Sequence, residues 1–222
     1  GRAGGEGALE LASGLADGAL DATFGDLAPA GALAGVPLQG SASARLTLAP
    51  AAGRQTAALA FAAPELTLPQ PGGGDIGLTG LSVSAALTGL APQPAGRASL
   101  TIAGATAGSL SLKDLSLDLD GTAAALSFDL KGAGALAAPF DLAAGGSVAQ
   151  ESGSWAITID RLDGSAAGEK LSLTQPATLT LTPGGLALSF TALRVGAGEV
   201  RAQASQDRTR VAARLELAGL PL

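Results

Sequence analysis

The feature that most constrains this chain is a period of two. From Leu171 to Leu217 apolar side chains fall at every second position. They are Leu171 and Leu173, Leu179 and Leu181, Leu186, Leu188 and Phe190, Leu193 and Val195, Val200, Ala202 and Ala204, and then Val211, Ala213, Leu215 and Leu217. Thr, Ser, Arg, Glu and Gln stand between them. Successive side chains of a pleated strand point to opposite faces, so this spacing makes one face apolar and the other polar. Breaks at Gln175-Pro176, Pro183-Gly184-Gly185, Gly196-Ala197-Gly198 and Gln206-Asp207 divide the stretch. The pattern predicts a meander of short antiparallel strands joined by tight turns.

The same theme runs upstream. Ala42 to Leu48, Thr56 to Phe61, Leu66 to Leu68, Leu81 to Ala85, Leu100 to Ile102 and Leu126 to Leu130 all alternate. Leu110 and Leu112 are followed by Leu115, Leu117 and Leu119, so the register slips by one at Lys113-Asp114, which predicts a bulge or turn. Turns are expected at Pro50–Gly53, Pro69–Gly74, Ala91–Pro94, Asp120-Gly121, Gly132–Gly134 and Asp163-Gly164. Residues 1–40 read as an irregular N-terminal segment with either a short helix or a strand, and 41–222 as one continuous β segment of a longer chain. About fifteen strands result, and an open sheet of that size curls or closes. The expected fold is all-β: an elongated curled meander whose apolar face lines a hydrophobic groove.

Composition supports a thin structure. The chain of 222 residues has only five Phe, one Trp and no Tyr, Met or Cys, while Gly contributes 33 residues. Large aromatics usually fill a thick core. A sheet one layer deep has less interior to fill. The net charge is −6, and the ten Arg and three Lys are scattered, so a nucleic-acid surface is not expected. No run approaches a membrane-spanning length, so no membrane-spanning segment is expected within this chain.

The residue types for most site chemistry are missing. Without His or Cys there is no imidazole triad, thiol nucleophile or Cys/His metal set. No enzyme activity, cofactor or metal is expected. Gly196-Ala197-Gly198 lacks the third glycine of a dinucleotide loop and reads as a turn. Asp114, Asp118, Asp120 and Asp129 hold the carboxylates for an acid pair or cation site, but Asp118 and Asp120 alternate with Leu117 and Leu119, as on a solvated outer face. Arg194, Arg201, Arg210 and Arg214 read as outward charges that guard a sheet. What remains is the apolar stripe, either a packed sandwich core or a surface for acyl chains. Its candidate lining is Leu115, Leu117, Leu119, Leu126, Phe128, Leu130, Leu171, Leu173, Leu179, Leu181, Leu186, Leu188, Phe190, Leu215 and Leu217.

Several phrases resemble the TamB family within the AsmA-like superfamily. They are Trp155-Ala156-Ile157-Thr158-Ile159, Leu171 to Leu179 with Gln175-Pro176 inside, Leu186-Ala187-Leu188, and Leu193 to Val200 with Gly196 and Gly198. Gly35-Val36-Pro37-Leu38 and Ala138-Pro139-Phe140-Asp141-Leu142 resemble the turns of that family. The motifs are spacings and turn residues over most of the chain from about Thr23 onward. The resemblance implies a folded-over sheet (a β-taco) with a hydrophobic interior, in the periplasm of a protein anchored in the bacterial inner membrane. It implies phospholipid as the cargo, and a part in outer-membrane biogenesis. It also implies an Omp85-type outer-membrane partner, TamA, with the alternative of a chaperone-like scaffold that holds client strands by β-augmentation.

Overall fold

A computed structural model of the chain describes residues 1–10, 14–69, 74–89, 94–122, 124–151, 153–207 and 209–219. The described chain is nearly all β, with sixteen strands and one seven-residue helix. It divides into two compact units, Gly1–Thr122 with Gly134–Ala137, and Ala123–Ala133 with Ala138–Leu222.

The first unit holds β1 (Arg2–Glu10), β2 (Leu15–Phe24), α1 (Ala28–Ala34), β3 (Gln39–Gly40), β4 (Ala42–Ala51), β5 (Arg54–Leu68), β6 (Ile76–Thr88), β7 (Ala95–Ala107) and β8 (Leu110–Thr122). Its lanes run β1-β2-β4-β5-β6-β7-β8, each antiparallel to the next. The N-terminal segment, read from sequence as irregular with a short helix or a strand, supplies two full strands and the short helix α1. Asp17-Gly18, a turn-type dipeptide in sequence, lies inside β2, where Gly18 sits directly opposite Gly7. The helix begins with Pro29 in its first turn and ends at Gly35, whose φ of 69° supplies the left-handed cap.

The second unit holds β9 (Ala125–Leu136) up to residue 133, β10 (Ala138–Glu151), β11 (Ser154–Ala166), β12 (Glu169–Gln175), β13 (Ala177–Thr182), β14 (Gly185–Val195), β15 (Gly198–Asp207) and β16 (Val211–Ala218). Neighbours again pair antiparallel. β12 and β13 share one lane, broken at Pro176, between β11 and β14. Proline lacks the N–H that a ladder needs, so the lane breaks there.

Several expected turns are strand interior. Asp120-Gly121 lies in β8, Gly132–Gly134 in β9 and Asp163-Gly164 in β11. The β11–β12 turn is at Ala167 and Gly168, both with positive φ. Gly164 is demanded by close approach. A Cβ there would sit 3.0 Å from the Asp141 carbonyl carbon and 3.0 Å from Leu142 Cα. The turns expected at Pro69–Gly74 and Ala91–Pro94 lie largely outside the described residues. The turns at Ala52-Gly53, Pro183-Gly184 and Gly196-Ala197 are where the sequence places them.

Each unit is crossed by a line where the alternation slips. In the first unit the register lines up Pro64, Gly80, Ala103 and Asp114, and all four are absent from the pairing ladder. Gly80 (φ 61°) and Asp114 (φ 51°) adopt the left-handed region. Apolar positions on β6 change there from Leu81, Val83, Ala85 and Leu87 to Ile76 and Leu78, and both sets are half-buried while Thr79 is exposed. The slip expected at Lys113-Asp114 is therefore one point on a line through four lanes. In the second unit Gly145 opposes Arg161, and Gly146 opposes Ile159, so Asp160 is an extra residue on β11. A second shift on β14 between Leu188 and Thr191 does the same against β15. A bulge inserts one residue and so returns the following side chains to the original face.

Candidate functional site

The register assembles the alternating residues into rows. In the first unit one row reads Leu20, Leu46, Leu59, Ala85, Ala98 and Leu119, each directly opposite the next. The adjacent row reads Ala22, Ala44, Phe61, Val83, Leu100 and Leu117. Leu115 opposes Ile102 on the same face. In the second unit Val148, Ile157, Leu179, Leu188, Ala204 and Ala213 form one row. Trp155, Leu181 and Leu186 form the next, and across the bulge line Leu193, Val200 and Leu217 continue the same face. Leu171 opposes Val195, and Leu173 opposes Leu193. Leu215 opposes Ala202.

Leu126, Phe128 and Leu130 belong to this face by alternation. Asp129 between them reaches Arg161 on the polar side at 2.6 Å, across Gly145. A Cβ at Gly145 would meet both charged tips, so the small residue lets the pair span a lane. The Phe190 side chain lies outside what is described.

Burial distinguishes this face from a closed core. Among the described residues the only buried apolar side chains are Ala42, Ala63, Ala144 and Ala192. Among these described residues no large side chain is fully buried. The candidate leucines of β8, β9, β12, β13 and β14 are half-buried, whereas Leu215 and Leu217 on β16 are 64% and 60% exposed. A sandwich interleaves the inner side chains of two sheets at crystal-like density. Side chains packed that way would be buried.

Sequence reading of the site stopped short in the first unit. Leu20, Leu46, Leu59, Phe61, Val83 and Leu100 carry the same alternation and occupy the same rows as Leu117 and Leu119. Leu9, Leu20, Leu46 and Leu48 also line a concavity of about 430 Å³ on β1, β2 and β4. Gln55 on β5 bonds to Ala16, one of the lining residues. Its amide accepts from Ala16 N–H at 2.7 Å and donates to Ala16 O at 2.9 Å, reaching over β4.

The opposite face is polar and paired across strands. Arg45 lies 3.6 Å from Asp21, Arg97 pairs with Asp120, and Ser84 hydrogen-bonds Ser99 at 2.7 Å. Thr158 and Thr178 are 3.2 Å apart. Along single strands, Arg201 pairs with Glu199 on β15 and Arg214 with Glu216 on β16. The ion-paired side chains are exposed or partly so, and such pairs contribute little each, roughly 0.2–1 kcal/mol. Asp118 opposes Ser99, and Asp114 occupies the slip line. Among the described residues no group of three or more His, Cys, Asp or Glu could hold a metal ion.

One carboxylate is distinct. Asp207 Oδ1 accepts from Thr209 N–H (2.8 Å), Thr209 Oγ1 (3.0 Å) and Arg210 N–H (2.8 Å) at the β15–β16 turn. These donors favour the charged form and hold its carboxyl below the ordinary 3.8.

No helix among the described residues is long and apolar enough to cross a membrane. No family model, curated protein or solved structure matches the chain.

Proposed function

We propose that the apolar faces hold the acyl chains of phospholipid and pass them between the inner and outer membranes of a bacterial envelope. In this reading the protein is a non-enzymatic conduit in the periplasm that serves outer-membrane biogenesis beside an Omp85-type partner. The observation that carries it is the burial pattern. Rows rich in Leu, Ile, Val and Phe run from β2 to β8 and from β10 to β16, yet among the described residues no large side chain is fully buried. Extended apolar surface of this kind marks a binding site. Each methylene that leaves water on it gains about 0.8 kcal/mol, while headgroups stay at the open edge. A Leu-rich, aromatic-poor lining suits chains that vary in length and unsaturation.

The test is native mass spectrometry of the protein purified from bacterial envelopes in mild conditions, followed by lipid extraction. Phospholipid at reproducible stoichiometry supports the conduit. A lipid-free, monodisperse protein sinks it. A second reading, in which the protein holds client strands by β-augmentation, draws on the exposed apolar strand β16. Photocrosslinking from Leu117 and Leu179 separates the two, because the conduit yields lipid adducts and the scaffold yields peptide adducts.

A further inference from the structure

On the apolar face of the second unit, one row is not purely apolar. The register sets Gln150 opposite Trp155, Trp155 opposite Leu181, Leu181 opposite Leu186, and Leu186 opposite Gln206. The neighbouring row holds Val148, Ile157, Leu179, Leu188 and Ala204, so alternation places both glutamines on the apolar face. Gln150, Trp155 and Gln206 are exposed, Trp155 at 39%. Among the described residues their amides and indole N–H meet no protein partner. Further along this face Thr191, opposite Ala202, is satisfied within the sheet, since its hydroxyl donates to Gln175 O at 3.0 Å.

The far end of the face differs. Glu169 alternates with Leu171 and Leu173, and its carboxylate lies against Gly196 in the β14–β15 turn, where an added Cβ would be 3.1 Å from Glu169 Cδ. One end of the strands thus offers neutral hydrogen-bond donors, and the other a negative charge.

We propose, resting on the acyl-chain reading above, that Trp155, Gln150 and Gln206 receive the ester carbonyls of a phospholipid and fix its direction on the second unit. The glycerol end sits at the Trp155 row, and the chains run along the strands toward the bulge at Asp160. Carbonyl oxygens accept and cannot donate, so they match N–H groups without protein partners. Tryptophan suits such a boundary, because its ring is apolar while its N–H takes a partner. Repulsion from Glu169 keeps the anionic phosphate away from the far end. The lengths also fit. One leaflet of hydrocarbon is about 15 Å deep, half of a bilayer core. Four residues of strand rise about 13 Å, which carries a chain from Trp155 to Ile159 beside the bulge. Ile159 is flanked there by the small residues Gly146 and Ala177.

Trp155 is the only tryptophan, so its fluorescence is a built-in probe. The protein is loaded from vesicles of phosphatidylcholine whose acyl chains are brominated either near the carboxyl end or near the methyl end, and uptake is counted by lipid extraction. Bromine near the carboxyl end should quench at least about twofold more strongly. Moving the probe with Trp155→Phe and Ile159→Trp should invert that order. Ester-linked phosphatidylcholine should bind about fivefold tighter than its ether-linked analogue, which lacks the carbonyls, as one net hydrogen bond implies. Trp155→Phe combined with Gln150→Leu and Gln206→Leu should erase the difference. Equal quenching by the two lipids, stronger quenching from the methyl end, or an ester preference that survives the triple variant would each overturn the proposal, while measured lipid uptake would leave the conduit standing. A protein that takes up no lipid would overturn both. The quenching comparison uses the unaltered protein, so failure to fold cannot imitate its outcome.

Discussion

Gly145 and Gly146 are neighbours on β10, yet adding one methyl group to each should have opposite consequences. An alanine Cβ at Gly145 would lie 3.1 Å from the Arg161 terminal nitrogen and 3.2 Å from Asp129 Oδ1. Both are ends of flexible, exposed side chains that can swing aside. The loss is at most an exposed ion pair, roughly 0.2–1 kcal/mol. The reduced freedom of the unfolded chain returns about 0.4–1 kcal/mol. The net change for Gly145→Ala should lie near zero. At Gly146 the new Cβ would press into Thr158 O, 2.9 Å from the Thr158 carbonyl carbon and 3.0 Å from Ile159 Cα. These are backbone atoms of the paired strand, so relief requires the β10–β11 ladder to open at its bulge. Losing two or three ladder hydrogen bonds at about 1 kcal/mol each, with some packing of Ile157 and Ile159, predicts roughly 2–4 kcal/mol of destabilisation for Gly146→Ala. Neither glycine has a positive φ, so backbone strain does not confuse the comparison. Urea unfolding followed by circular dichroism measures both variants on one scale. Equal stabilities, or Gly145→Ala as the weaker protein, would refute the reasoning and with it the placement of the bulge.

Three further predictions follow from the same geometry. Leu117→Asp combined with Leu179→Asp should cut copurified phospholipid at least severalfold and leave the β-sheet circular dichroism signal intact, because each residue lies on the half-buried apolar face of its own unit rather than in a closed core. In a double-mutant cycle of Arg161→Ala and Asp129→Ala by urea unfolding, the coupling should not exceed about 1 kcal/mol, since the two side chains are 57% and 60% exposed. Asp207, whose folded carboxyl is held below 3.8, stabilises the β15–β16 turn at pH above 3.8 and loses that contribution as pH falls through the depressed folded value. Amide exchange at Thr209 and Arg210 should accelerate in that acid range, and Asp207→Asn should remove the pH dependence.

Alternation of Leu and Val with Ser, Thr and Asp made the strands legible, and with them the all-β class and the apolar face. The positions of turns were less legible, because glycine serves two purposes in this chain. At Ala52-Gly53 and Ala167-Gly168 it allows a left-handed turn. At Gly96, Gly146 and Gly164 it lets two backbones approach in mid-strand, and the Asp-Gly pair at 163–164 looks the same in either role. The slip at Lys113-Asp114 was visible locally, but its alignment with Pro64, Gly80 and Ala103 depends on register, which pairs residues distant in the chain. Residues 2–10 read only as part of an irregular segment with a helix or a strand, because Gly4, Gly5 and Gly7 offer no apolar period. Their partners on β2 hold them in a strand. Tertiary pairing overrides weak local preference there.

The scarcity of fully buried large side chains bears on how such a chain can change over generations. Within each unit a strand leans mainly on the strands beside it, and little depends on a shared centre where every residue constrains the rest. Stability then accumulates lane by lane, much as in repeat proteins. A hairpin gained or lost adds or removes two lanes and keeps the inside-outside parity of all the others. Width becomes a quantity that duplication and deletion can adjust without redesigning any part already in place.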